Sequence, residues 1–109
     1  MERNKEVKRL SKPYYAEYVN HCLRFYFMYD PKKGFKNAVD KENYRAVEKA
    51  TSHLRVTEKD MLRFVFIQPG DNLSEHVKRA NIEYKIKGNQ IWILMNHITR
   101  KIAKERGLI

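Results

Sequence analysis

A single cysteine, Cys22, excludes an internal disulfide, and only four glycines, none of them grouped, exclude a glycine-rich loop that cradles phosphates. Long apolar runs are missing as well. The greasiest stretches, Leu23 to Tyr29 and Met61 to Ile67, fall far short of the roughly 20 apolar residues that span a bilayer, and the Met1 terminus lacks a run of signal-peptide length. The expectation is a cytoplasmic protein with no membrane role. The four histidines, His21, His53, His76 and His97, are scattered, with neither paired cysteines nor the His spacing of a zinc site. His21 and Cys22 are neighbours, so on a helix they point about 100° apart, which is poor geometry for an activated thiol. No catalytic residue, metal or cofactor is therefore expected, and the chain does not read as an enzyme.

Carboxylates are also in short supply. Against 23 Lys plus Arg there are only 13 Asp plus Glu, which leaves a net charge of +10 and a pI near 9.8. That surplus points to nucleic acid, an anionic membrane or an acidic protein as partner, beside the bland reading of a merely soluble basic protein. What is present is enough to fold. With 109 residues, 42% of them hydrophobic and 12% aromatic, the composition is that of one ordered domain that needs neither metal nor ligand.

Residues 1–12 hold Arg3, Lys5, Lys8, Arg9 and Lys12 against Glu2 and Glu6 and read as a basic arm. Residues 13–54 read as N-terminal helices. The first spans about Pro13 to Met28, with Tyr15, Tyr18, Val19, Cys22, Phe25, Tyr26 and Tyr29 at helical spacing. Asp30-Pro31-Lys32-Lys33-Gly34 is a basic loop, after which Asp40 caps a helix with Tyr44, Val47, Ala50 or Thr51, and Leu54 on one side. Thr57, with Asp60 three residues on, opens a third helix whose buried edge is Met61, Leu62, Val65 and Phe66. Phe64 to Ile67 also suits a short strand on propensity, but no partner strand is visible, so helix is expected. Pro69-Gly70-Asp71-Asn72 forms a turn. A fourth helix, about Ser74 to Tyr84, turns Leu73, Val77, Ala80 and Tyr84 inward, and a fifth runs from about Gly88 to Arg106 and stops at Gly107.

The last two helices are separated by only Lys85-Ile86-Lys87, which is how a helix-turn-helix is written. On the fifth helix Ile91, Leu94, Met95, Ile98 and Ile102 fall in a stripe about 100° wide, and Asn89, Ile93, Asn96 and Arg100 lie opposite, with His97 and Lys104 at the edge. Asparagine pairs bidentately with adenine, whereas Lys85, Lys87, Arg100 and Lys104 suit phosphates. Residues 85 to 109 hold six cations against Glu105 alone, where a merely solubilising surface would mix signs.

Thr57-Glu58-Lys59-Asp60-Met61-Leu62, followed by Val77, Ala80, Tyr84, Ile86, Ile91 and Leu94, resembles region four of bacterial sigma factors, the part that reads the upstream promoter element. The match covers about half the chain. The whole sequence also looks like a group of short proteins from bacterial phages and mobile elements, through Phe25-Tyr26, Asp40-Lys41-Glu42-Asn43-Tyr44, Thr57-Glu58-Lys59-Asp60, Trp92 and Lys101-Ile102-Ala103-Lys104-Glu105-Arg106-Gly107-Leu108. The resemblance implies DNA binding. The chain has no room for the other sigma regions, so a complete sigma factor is not implied.

The expected protein is therefore all-α, with about five helices in a single domain over residues 1–109 and a helix-turn-helix of sigma-region-four type over 57–106. Its expected partner is double-stranded DNA, bound through Lys85, Lys87, Asn89, Gln90, Asn96, His97, Arg100 and Lys104 in a small transcriptional regulator, and a homodimer on paired half-sites is open to such a module. The alternative is a protein-interaction adaptor that docks RNA polymerase or another acidic partner, favoured by the apolar Ile93 in the middle of the outward face. Single-strand binding through the tyrosines is a third class. Trp92, at the shoulder of the stripe, is expected to seal the core rather than stack on a base.

Overall fold

The structure is a computed structural model that describes residues 13–70 and 72–109; the expected basic arm, Arg3 to Lys12, and the turn residue Asp71 lie outside the described residues. Among the described residues the chain is all-helical: α1 (Ala16–Phe27), α2 (Ala38–Thr51), α3 (Val56–Ile67), α4 (Leu73–Tyr84) and α5 (Gly88–Glu105). The apolar run Phe64 to Ile67 completes α3 rather than forming a strand.

Several helices begin where a side chain reaches an amide that the helix itself leaves unpaired. At α2 that residue is Asn37, whose Oδ1 accepts the Asp40 N–H at 2.9 Å. Asp40, expected as the cap, is instead the third residue of the first turn, where its charge complements the helix dipole. The start of α3 also differs from expectation. Arg55 holds the cap position, and Glu58 reaches back to accept its N–H at 3.0 Å, so the Thr57–Asp60 pair does not form the box. Asp60 accepts the Tyr84 hydroxyl at 2.9 Å instead. Asn72 caps α4 through the Glu75 N–H, so the helix begins at Leu73, one residue ahead of the expected start at Ser74. At the other end of the chain α5 closes on Gly107 in the left-handed region (φ 70), with Gly107 N–H donating to Lys104 O and Leu108 N–H to Ala103 O, the paired bonds of a Schellman stop.

One core joins the five helices. α1 packs on α2, α3 and α5; α2 also packs on α5; and α4 bridges α3 and α5. Val19, Cys22 and Leu23 are the buried residues of α1, so of its expected apolar side the tyrosines lie at the margin of the core or outside it. Tyr15 and Tyr26 are half-buried against the core edge, whereas Tyr14 and Tyr18 are exposed. Phe25, Tyr29, Phe35 and Tyr44 form an aromatic cluster of their own, with Tyr29 and Phe35 stacked at 4.8 Å, and it fastens the Asp30–Gly34 loop to α2.

Two arginines tie the periphery together. Arg24 of α1 donates from Nε to Phe66 O at 3.1 Å and from Nη2 to Gln68 O and Gly70 O at 3.3 and 3.0 Å. A guanidinium thus caps the carbonyl end of α3, where the helix dipole is negative. Arg106, just past α5, donates to Asn43 Oδ1 at 2.7 Å and to Glu42 at 2.8 Å; Asn43 also accepts the Tyr18 hydroxyl, so α1, α2 and α5 meet at one amide. Replacing Arg24 by Met should leave these carbonyls without their donor and lower stability by about 2 kcal/mol. Urea denaturation monitored by circular dichroism checks this, and an unchanged midpoint would remove Arg24 from the set of structural ties.

Candidate nucleic-acid interface

The angle between α4 and α5 is set by three residues and by what they touch. Lys85 takes the left-handed conformation (φ 55, ψ 38), the only described non-glycine residue with positive φ. Lys87 is extended and caps α5, while Ile86 between them is half-buried against the core. The Asn81 side-chain amide donates to the Ile86 carbonyl, so the last turn of α4 holds the loop that follows it. Gly88 opens α5 directly over Val77: a methyl added there would meet Val77 Cγ1 at 3.8 Å, an ordinary contact. Tyr84 fixes the other flank through its hydroxyl bond to Asp60 and an edge contact with Phe64 at 5.6 Å. Partial burial and the bond to Asp60 push its phenol above the usual range, so it remains a donor at neutral pH.

α5 buries Ile91, Met95, Ile98, Ile102 and Ala103. Leu94, expected in the same stripe, is half-buried at its margin, and Trp92 is half-buried with one side against the core. Lys85, Lys87, Asn89, Gln90, Asn96, His97, Arg100 and Lys104 are all exposed. They follow the outer side of the turn and of α5 for about 22 Å from Asn89 to Lys104. None of the four cations among them forms an ion pair with a described residue. Two carboxylates at the far end of α5 are turned elsewhere, Glu105 to Lys49 at 3.3 Å and Glu42 to Arg106.

These eight residues do not form one cluster. Gln90 lines a small groove, about 270 Å³, with Arg55, Thr57, Glu58, Met61, Ile86 and Leu94 at the start of α3. Asn96, His97 and Arg100 border a much larger valley, about 1180 Å³, between α5, α1 and the first residues of α4. Its opposite wall is Glu17, Asn20, His21 and Arg24, which sequence reasoning did not nominate. Their spacing of three, four and seven residues is a polar stripe on α1, and reading that helix only for its apolar side passed over it. His97 also faces His53 of the loop after α2, ring centroids 6.3 Å apart, and His53 Nδ1 lies 3.5 Å from Lys101 Nζ.

The other titratable groups are structural. His76 is buried, with Nε2 3.2 Å from Pro69 O, an arrangement in which the ring donates to that carbonyl. Burial pushes the Cys22 thiol up to about 11, partly offset by the Arg106 charge, so it is neither ionised nor reachable at neutral pH. Among the described residues no group of three or more His, Cys, Asp or Glu side chains is placed to hold a metal ion, and no helix is long and apolar enough to cross a membrane. Comparison with protein-family models, curated proteins and solved structures gives no match.

Left-handed backbone costs an ordinary L-residue about 1–2 kcal/mol; glycine avoids that cost but gives part of the gain back through the greater freedom of its unfolded state. Lys85→Gly should therefore stabilise the protein by about 0.5–1 kcal/mol and Lys85→Val should destabilise it by a similar or larger amount. Thermal melts of the two variants check this, and a Lys85→Gly protein that melts below the parent would mean that the turn is held by something other than its dihedral angles.

Proposed function

We propose that the chain binds duplex DNA, with α4 and α5 acting as a helix-turn-helix in a small cytoplasmic transcriptional regulator of a phage or mobile element. The observation that carries this reading is the outer side of α5 and its turn, where amides and four cations without an ion pair among the described residues are exposed, while Glu105 and Glu42 are engaged elsewhere. An α-helix with its side chains is about 10–12 Å across and the major groove about 12 Å wide, so such a face can be presented to base edges. Asn89, Gln90 and Asn96 are the candidates for bases. Lys85, Lys87, Arg100 and Lys104 are the candidates for phosphates, with His97 beside them as a further donor. The basic arm of residues 1–12 adds cations with no sequence preference, and dimerisation on paired half-sites would raise affinity further.

Neutralising about five phosphates gives a slope near −4.5 in log affinity against log salt. Titration of a labelled duplex at several salt concentrations measures it, and salt-independent binding would count against the proposal. Arg100→Ala with Lys104→Ala should weaken binding to all sequences and flatten the slope by about two, whereas Asn96→Ala should blur preference at one base pair.

A second reading rests on Ile93, 61% exposed in the middle of the same face. An apolar residue there also suits a groove on an acidic protein partner such as RNA polymerase. Ile93→Asp separates the two: duplex binding retained with loss of a protein partner supports the adaptor, and loss of duplex binding supports the groove-entering helix.

A further inference from the structure

We infer that the valley between α1 and α5 seats the sugar-phosphate backbone of one DNA strand, so that α1 contributes phosphate contacts alongside the helix that enters the groove. The inference rests on the duplex-binding reading above and adds residues to it that lie outside the helix-turn-helix.

The valley is an open channel of about 1180 Å³. Apolar side chains such as Trp92 and Met95 line it, and its walls carry Asn20 and His21 on one side and Arg100, one turn beyond Asn96, on the other. Side chains of this kind donate to phosphate oxygens, and contacts to phosphate and sugar make up half to two-thirds of protein–DNA hydrogen bonds. Among the described residues Glu17 is the one carboxylate in the lining.

The charge of Arg24 adds to this. Among the described residues its partners are three backbone carbonyls, and Arg24 is itself part of the valley lining. Trp92 forms part of the floor, half-buried and fixed by the core beneath it, an apolar surface of the kind on which a deoxyribose can rest. Position supplies the last step. Asn96 and Arg100 belong both to the outer face of α5 and to the valley, and a major groove is bordered on each side by a backbone. A duplex that receives α5 therefore lays one strand along its flank, and on this flank the protein has a donor-lined channel.

The test uses the full chain and labelled duplexes of several unrelated sequences, with the matching single strands as competitors and thermal melts to verify folding. His21 is exposed, so its substitution leaves the core intact. His21→Ala should weaken binding to every duplex by about tenfold, the loss of one hydrogen bond to a charged group. His21→Glu should weaken it further and flatten the salt slope by about one. A variant carrying Lys85→Gln and Lys87→Gln reports on the helix-turn-helix independently. If that variant loses affinity while both His21 variants bind like the parent, the valley assignment is overturned and the duplex reading stands. If the parent binds no duplex, both fall. Preference for single strands that Trp92→Leu abolishes would also overturn the inference, because it assigns the valley to unpaired bases.

Discussion

A helix that buries one complete stripe has no freedom left in the rest of its circumference. On α5 that stripe is Ile91, Met95, Ile98 and Ile102, enclosed by α1, α2 and α4. Each such side chain taken out of water contributes about 1.5–3 kcal/mol, so the four together rival the whole stability of an ordinary domain. Exposed ion pairs such as Lys49–Glu105 contribute about 1 kcal/mol at most. No arrangement of surface charge could therefore rotate α5 against its core. The outward position of Asn89, Asn96 and Arg100 follows from where the isoleucines are, and the turn at Lys85 only has to deliver the helix at an angle that lets the stripe dock.

Net charge is a poor guide to where this protein is positive. Arg106 is bound by Glu42 and Asn43, Lys49 faces Glu105, and Lys59 is shared between Glu48 at 3.9 Å and the Tyr26 ring at 5.2 Å. Those cations hold helices together, and their fields are largely cancelled where they sit. Arg24 is different in kind, because among the described residues its partners are backbone carbonyls at a helix end. Lys85, Lys87, Arg100 and Lys104 remain at the outer edge of one unit. Other exposed cations, among them Lys32, Lys33, Lys36, Lys41, Arg45 and Arg63, lie on α2, α3 and the loop before them, so the surplus of +10 is spread over the molecule and these four are only its share on α5 and the turn before it.

Elements with strong periodicity were legible in the sequence. The five helices fall where apolar spacing puts them, α4 and α5 are separated by the expected Lys85-Ile86-Lys87, and α5 stops at Gly107. The caps were less legible, because Asn37 and Asp40, or Arg55 and Thr57, are equally good starts until tertiary contacts choose between them. Asp60 shows the reason: its carboxylate serves α3 from within the chain only if Tyr84 does not claim it, and Tyr84 arrives from a helix two dozen residues away. Long-range ties from arginine, Arg24 to the end of α3 and Arg106 to Asn43, left no local pattern at all. The valley was hidden for the same reason. Part of it belongs to α5 and part to α1, far apart in the chain, and only the fold brings Asn20 and His21 opposite Asn96 and Arg100.

The exposed Ile93 bears on the choice between a DNA face and a protein-docking face. On the helix surface its neighbours one turn away are Asn89, Gln90, Asn96 and His97, all exposed and polar. Protein grooves are entered by contiguous apolar stripes with anchors at successive turns, and α5 offers a single one. Lone surface apolar residues are ordinary, and an isolated one carries little docking energy. A major groove, by contrast, presents one apolar group among hydrogen-bonding edges, the thymine methyl, and an apolar side chain ringed by amides is its complement. The composition of the face around Ile93 therefore favours base edges over a protein groove, even though the residue taken alone points the other way.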